Sequence, residues 1–360
     1  MKVRAVALFS GGLDSSLAVR LLQDQGIEVK ALHFYTGFCI TEHKRRLGLK
    51  REDGSQYVNP ALRAAGSQYV NPALRAAAQL HVPIEMVDVS QEYFDVILNP
   101  KYGYGKNVNP CVDCRIFMLR KTKEIMEKED YHFVVTGEVL GQRPMSQTFE
   151  RLMLIEKEAG LEGYILRPLS AKLLPETIPE RLGWVDRERL LGISGRGRKK
   201  QIALAKKYSL EYQQPAGGCC YLTDENYAYR FREAFEMEGT ITRDDLVLFS
   251  VGRHFRLPSG ARLITARNEG EVRFLMGFRN RYSHAYRKDL KGTFALIKGE
   301  LRDEEKKLVA DIVARYSKNE PCEVVINFNS KEETLRGKPA QEEIVESLKI
   351  YNRQGAKHGN

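Results

Sequence analysis

The sequence predicts an α/β protein, a doubly wound parallel sheet followed by a smaller α+β domain. Three observations carry that expectation. Short apolar runs without period-two alternation, "VRAVALFS" (3–10), "VKALHFY" (29–35), "IEMVDV" (84–89) and "HFVVTGEV" (132–139), are separated by amphipathic stretches, the pattern of strands covered by helices on both faces. A turn dense in small residues follows the first run. Beyond residue 238 the composition shifts to short strand-like segments joined by turn residues.

Taken in order, "SSLAVRLLQDQG" has apolar residues at helical spacing and ends on Gly26. The segment "GSQYVNPALRAA" at 54–65 recurs unchanged at 66–77. A perfect repeat points to recent duplication rather than to a solenoid, so one copy is expected to form the helix "NPALRAAAQL" and the other to loop out. A helix follows at "CRIFMLRKTKEIMEKE" (114–129), and the prolines of "LRPLSAKLLPETIPE" predict an irregular traverse of the sheet edge. "ISGRGRKKQIALAKKYSL" reads as a basic turn entering a helix. "LVLFSVGRHFRLPSGARLITARN" (246–268) reads as strands, and "QEEIVESLKIY" as a helix within a polar tail. The expected domains are therefore 1–238, 239–330 and a tail at 331–360.

With 57 Lys and Arg against 47 Asp and Glu, the net charge is +10, which favours a polyanionic partner without naming it. No stretch reaches the roughly 18 apolar residues of a membrane helix, and the N-terminus lacks a signal-peptide pattern. No membrane association and a cytoplasmic location are expected. The six cysteines are too few for a disulfide framework and suit metal or redox chemistry.

The turn "SGGLDSS" is built to hold phosphate: small residues let backbone N–H groups approach an anion, and the following helix adds its dipole. It matches neither GxxxxGK[ST] nor GxGxxG. It resembles the SGGxDS signature of the PP-loop, or N-type ATP pyrophosphatase, superfamily, an adenine nucleotide alpha hydrolase-like fold. That resemblance implies cleavage of ATP to AMP and pyrophosphate. It assigns Ser10, Gly11, Gly12, Ser15 and Ser16 to the phosphates and Asp14 to Mg²⁺ or to the adenylation site.

"NPCVDCR" places Cys111 and Cys114 ahead of a helix, where the dipole is expected to lower the thiol pKa. A further thiol arrives in "PAGGCCYLTD"; Cys219 is preferred to Cys220 because it follows the glycine pair. A CxxC with one distant Cys is the spacing expected of three ligands to a [4Fe–4S] cluster with one open iron. A dithiol handling a persulfide is the rival, and zinc would want a fourth ligand. Cys39 and Cys322 read as ordinary structural thiols.

SGGxDS, NPCxxCR, "VVTGEVLGQRPMSQ" and "LRPLSAKLLPETIPE" together resemble the tRNA thiolation enzymes, over residues 1–235. The resemblance implies ATP-dependent thiolation of a tRNA uridine, with sulfide or a cysteine desulfurase persulfide as sulfur donor. It puts Gly137 against the nucleotide and Gln142 and Arg143 near the reaction centre. Arg167 is left open between a phosphate contact and a structural ion pair. The 4-thiouridine synthases carry an N-terminal RNA-binding extension, so RNA recognition is expected elsewhere. "GRHFRLPSGARLITARNEGEV" resembles the RNA-binding module of ribosome-associated quality-control factors. The candidate RNA contacts are Arg253 and Arg256, with Arg262, Arg267, His254 and Phe255 beside them, and Arg196, Arg198, Lys199 and Lys200, whose charge opposes a helix dipole unless an anion is present. The rivals are a PP-loop enzyme using ammonia on a small molecule and a non-catalytic protein that binds ATP and RNA.

Overall fold

The computed structural model describes residues 2–39, 71–212 and 220–351. They fall into two compact units that divide between Cys220 and Tyr221.

In the first unit, β1 (Arg4–Leu8), β2 (Glu28–Tyr35), β3 (Ile84–Asp88), β4 (Phe133–Thr136) and β5 (Ile165–Leu166) form a sheet in the order β3-β2-β1-β4-β5. Every pairing is parallel. The helices are α1 (Leu13–Gln23), α2 (Pro72–Leu80), α3 (Tyr93–Leu98), α4 (Cys111–Lys128), α5 (Phe149–Ala159), α6 (Ile178–Arg181) and α7 (Lys199–Lys207). Alternate strand residues face opposite ways, and both faces are apolar. Ala5, Ala7, Val29 and Val135 pack with Ala18 and Leu22 of α1 and with Ala73 and Ala77 of α2. Val6, Leu8, Leu32 and Val134 pack with Ile116 and Leu119 of α4 and Ile155 of α5. This is the expected doubly wound sheet. Because β1 lies between β2 and β4, the strand order reverses at its C-terminal end, where such sheets open a crevice.

The second repeat copy ends in described chain, where Asn71 caps α2 by accepting the amide of Ala73 and Pro72 fills the first turn. The first copy lies outside the described residues.

The second unit comprises α8 (Glu225–Glu238), α9 (Arg243–Leu248), β6 (Arg253–Arg256), β7 (Arg262–Thr265), α10 (Glu269–Met276), β8 (Ser283–Arg287), β9 (Phe294–Lys298), α11 (Asp303–Tyr316), β10 (Cys322–Phe328), β11 (Lys331–Gly337) and α12 (Glu342–Leu348). Its strands form an antiparallel sheet in the order β11-β10-β8-β9-β7-β6. Val309 and Val313 of α11 pack on one face and Leu275 of α10 on the other.

Three boundaries differ from the sequence reading. Helix α8 belongs to the second unit, not to a domain ending at Glu238: Arg230 donates to the carbonyls of Phe249 and Gly252, and Tyr227 to that of Leu246. Residues 331–337 are not tail but β11, paired with β10 along its whole length; the charged side chains mark an edge strand. Residues 246–248 end helix α9, whose Thr242 and Asp245 form a capping box, rather than opening a strand. No helix among the described residues is long and apolar enough to cross a membrane.

Candidate functional site

The turn between β1 and α1 has the form its composition requires. Gly11 holds a φ of +72°, and a side chain there would run into the backbone of Pro72 and Ala73 at the start of α2. The Ser15 hydroxyl donates to the Gly12 carbonyl at 3.0 Å and lies 3.2 Å from the Ser10 hydroxyl, while the Gly12 amide donates to Ser10 Oγ. Ser10 and Ser15 thus tie the turn together from within. The Ser16 hydroxyl, in the first turn of α1, is buried and finds no hydrogen-bond partner among the described residues. Gly137 follows β4, and a Cβ there would lie 2.6 Å from Asp14 C and Ser15 Cα. The turn and the end of β4 touch backbone to backbone, which only glycine permits.

Asp14 projects from the second position of α1. Its Oδ2 accepts from Gln142 Nε2 at 3.1 Å and lies 3.6 Å from Arg198 Nη2; its Oδ1 is buried without a partner among the described residues. Two distant segments therefore meet at one carboxylate. A short parallel pairing of Leu140 with Ser194 and a 2.7 Å bond from the Gly195 amide to the Leu140 carbonyl hold those segments side by side. Arg196, Lys199 and Lys200 are exposed around Arg198, at the start of α7.

Cys111 and Cys114 open α4, three residues apart and so on one face. The dipole argument predicted lowered thiol pKa values. Instead burial pushes both thiols up, against the pull of Arg115 and Arg143, because desolvating a thiolate costs more than these neighbours return. The Tyr93 hydroxyl hydrogen-bonds to Cys114, and its surroundings include Cys220 and Cys111 as well. Cys220 in turn sits opposite Cys39 in an isolated antiparallel bridge. Cys39, read from the sequence as a bystander, is thus beside the thiol cluster, whereas Cys322 begins β10 of the other unit. Cys219 lies outside the described residues, and among the described residues no three side chains are grouped to hold a metal ion.

Beneath both centres is an ion network the sequence reading missed. Glu138, beside Gly137, lies 3.0 Å from Arg115 and 3.1 Å from Arg167, and Arg167 also pairs with Glu156. Glu138, Arg167 and Glu156 are all buried. Burial pushes the Glu138 carboxyl up, but Arg115 and Arg167 pull it below its ordinary value. Arg167 is thus held in a buried ion pair with Glu138 and Glu156.

In the second unit the basic strand pair is largely committed to its own fold. Arg256 is bound by Glu233 and Glu238. Arg253 lies over the Tyr316 ring at 4.5 Å and donates to the Ala266 carbonyl. Arg262 is buried against Asp245, Arg267 pairs with Glu271, and His254 and Phe255 are core residues.

With this geometry in view, residues 2–178 match the family model described as the tRNA methyl transferase HUP domain. The first unit belongs to the PP-loop superfamily. Residues 252–348 match the model described as the NFACT protein RNA binding domain. The chain is similar to the probable tRNA sulfurtransferase of Thermococcus kodakarensis, at 27% identity over 46% of this chain and 36% of that protein. It is similar to the tRNA-specific 2-thiouridylase MnmA of Cytophaga hutchinsonii, at 29% identity over 49% of this chain and 45% of the relative. The MnmA of Amoebophilus asiaticus is 25% identical over 71% of this chain and 64% of its own length. The chain thus spans between 36% and 64% of the length of these curated relatives.

Proposed function

We propose that this protein is an ATP-dependent tRNA sulfurtransferase that adenylates a uridine carbonyl, releases pyrophosphate and exchanges AMP for sulfur. One observation carries the reading. Consecutive residues bridge the two half-sites: Gln142 holds Asp14 of the phosphate turn, and Arg143 lies within electrostatic reach of Cys111 and Cys114. An activating centre and a thiol centre so joined suit a reaction in which sulfur attacks a carbon that ATP has just activated.

In this reading the turn of Ser10, Gly11, Gly12, Ser15 and Ser16 receives the pyrophosphate, and Gly137 lets the end of β4 seat against that turn, beside the nucleotide. The unpartnered Asp14 Oδ1 fits a hard cation. Mg²⁺ held there would neutralise charge on the departing pyrophosphate. Exposed Arg196, Lys199 and Lys200 are the tRNA phosphate contacts favoured by position; Arg253 and Arg256 would have to exchange their present partners to join them. The RNA-binding family match of residues 252–348 supports an RNA role for the second unit.

Sulfur reaches the site as sulfide or as a persulfide. Cys111 and Cys114, with Cys219, would as metal-bound thiolates suit the three ligands of a [4Fe–4S] cluster, whose open iron would hold and activate inorganic sulfide. The grouping of Cys114, Cys111 and Cys220 about Tyr93 favours a second reading, in which Cys220 carries a persulfide and no cluster is needed.

The test is thiolated nucleoside released from tRNA after incubation with ATP, Mg²⁺ and sulfide or a desulfurase, for wild type and for alanine at Cys111, Cys114, Cys219 and Cys220. Thiouridine formed in step with AMP, and lost without Cys111 or Cys114, is expected. Pyrophosphate release that ignores tRNA would point to small-molecule chemistry, and no release at all to a binding protein. Iron and acid-labile sulfide on protein purified without oxygen separate the two sulfur routes: about four irons per chain for the cluster, none for the persulfide.

A further inference from the structure

By sequence Arg198 is one of four basic residues, with Arg196, Lys199 and Lys200, expected to face RNA. Its place in the fold is different. It is half-buried and drawn toward Asp14, while Arg196, Lys199 and Lys200 around it are exposed. Its Nη1 is buried and without a hydrogen-bond partner among the described residues. Arg198 is also the residue from which α7 begins, and no side chain caps that helix.

The neighbouring first turn of α1 has the same character. Ser16 is 3% exposed with an unpartnered hydroxyl, and Asp14 Oδ1 is likewise unpartnered. Gln201, in the first turn of α7, is fully buried with neither amide atom bonded among the described residues. The two helices pack through Leu13 and Leu17 of α1 and Ala205 of α7. Two helix starts with uncapped amides, a guanidinium and a buried hydroxyl therefore converge around a carboxylate that takes only part of the available donors. Buried donors are normally satisfied. An anion with several oxygens would satisfy these.

We infer that Arg198 is a nucleotide-phosphate ligand, closing the PP-loop from the opposite side as part of the ATP site rather than of the RNA surface. This rests on the ATP-dependent reading above and deepens it. The planar guanidinium can keep its contact with Asp14 through Nη2 and present Nη1 to a phosphate oxygen.

Binding of ATP, AMP and adenosine is measured by titration calorimetry in EDTA, on wild type, Arg198→Gln, Arg198→Lys and the double variant Asp14→Asn/Arg198→Gln, with thermal melting as the check on folding. Loss of a charge-assisted bond to phosphate should weaken ATP roughly ten- to a hundredfold in Arg198→Gln while leaving adenosine unchanged. Arg198→Lys should recover part of that loss, and the double variant should not recover full affinity. The inference is overturned if ATP binding is unaffected, if ATP and adenosine weaken equally, or if the double variant restores ATP binding, since Arg198 would then act only as the counter-ion of Asp14. A wild-type protein that bound no ATP would overturn the functional reading itself, and with it this inference.

Discussion

Replacing Gly137 by Ala tests how tightly β4 is seated on the turn between β1 and α1. The new Cβ would lie 2.6 Å from both Asp14 C and Ser15 Cα, and closer still to the Ser15 amide nitrogen. Carbon atoms rest about 3.5–4.0 Å apart, so the two segments must separate by roughly 1 Å. The obstacle is backbone, not the end of a flexible side chain, and it belongs to a helical turn fixed by the 3.0 Å bond from the Ser16 amide to the Gly12 carbonyl. Overpacking of this kind costs about 1–3 kcal/mol. At roughly 2–4 °C per kcal/mol for a unit of this size, the melting temperature should fall by about 2–12 °C. The displacement also carries Asp14 with it, and a 1 Å error at a reacting centre costs on the order of a hundredfold in rate. ATP binding and pyrophosphate release should therefore drop more than stability does. The control is Gly197→Ala, where no atom lies within 4 Å of the added carbon and φ is ordinary. Equal melting temperatures and equal ATP affinity in Gly137→Ala and wild type would refute the packing argument.

The remaining predictions concern charge. Glu138→Gln leaves Arg167 and Arg115 facing a neutral amide and should destabilise the first unit by about 3–5 kcal/mol, read as a shifted urea midpoint; Glu138→Leu should be no less damaging. Because the folded carboxyl titrates below its unfolded value, this stabilisation is present above about pH 4.5 and lost as pH falls through the folded value. Its share of acid sensitivity should vanish in the Gln variant. His254 behaves in the opposite chemical sense: buried and bonded to the carbonyls of Leu248 and Val251, it is held neutral, its pKa pushed well down by burial and by Arg230 and Arg262. The unfolded chain takes up its proton first, so the second unit should weaken as pH drops below about 6.5; hydrogen exchange in β6 and β7 would register this, and His254→Gln should flatten it. Charge reversal at Arg196 and Lys199 should reduce the salt dependence of tRNA binding, while Arg256→Ala should lower the melting temperature without changing that slope; the reverse pattern would move the RNA surface to the β6–β7 pair.

Much of the first unit was legible because its signals are local. Strand β1, the turn "SGGLDSS" and helix α1 are adjacent in sequence, and apolar runs covered on both faces announce a parallel sheet without reference to anything distant. The second unit was less legible. Its basic strands look like a binding surface in one dimension, but the carboxylates that neutralise them, Glu233, Glu238 and Asp245, come from helices earlier in the chain.

What the sequence by itself determined was the α/β sheet, the small-residue turn after β1 and the CxxC at a helix start, all set by residue type and short spacing. The tertiary structure alone decided that Arg198 meets Asp14, that Cys220 faces Cys39, and that Glu138 joins the helix of Cys114 to Arg167. Such pairings depend on which strands lie side by side. A side chain's charge is written in the sequence, but the partner that uses it, and the water it loses in doing so, are fixed only when the chain closes on itself.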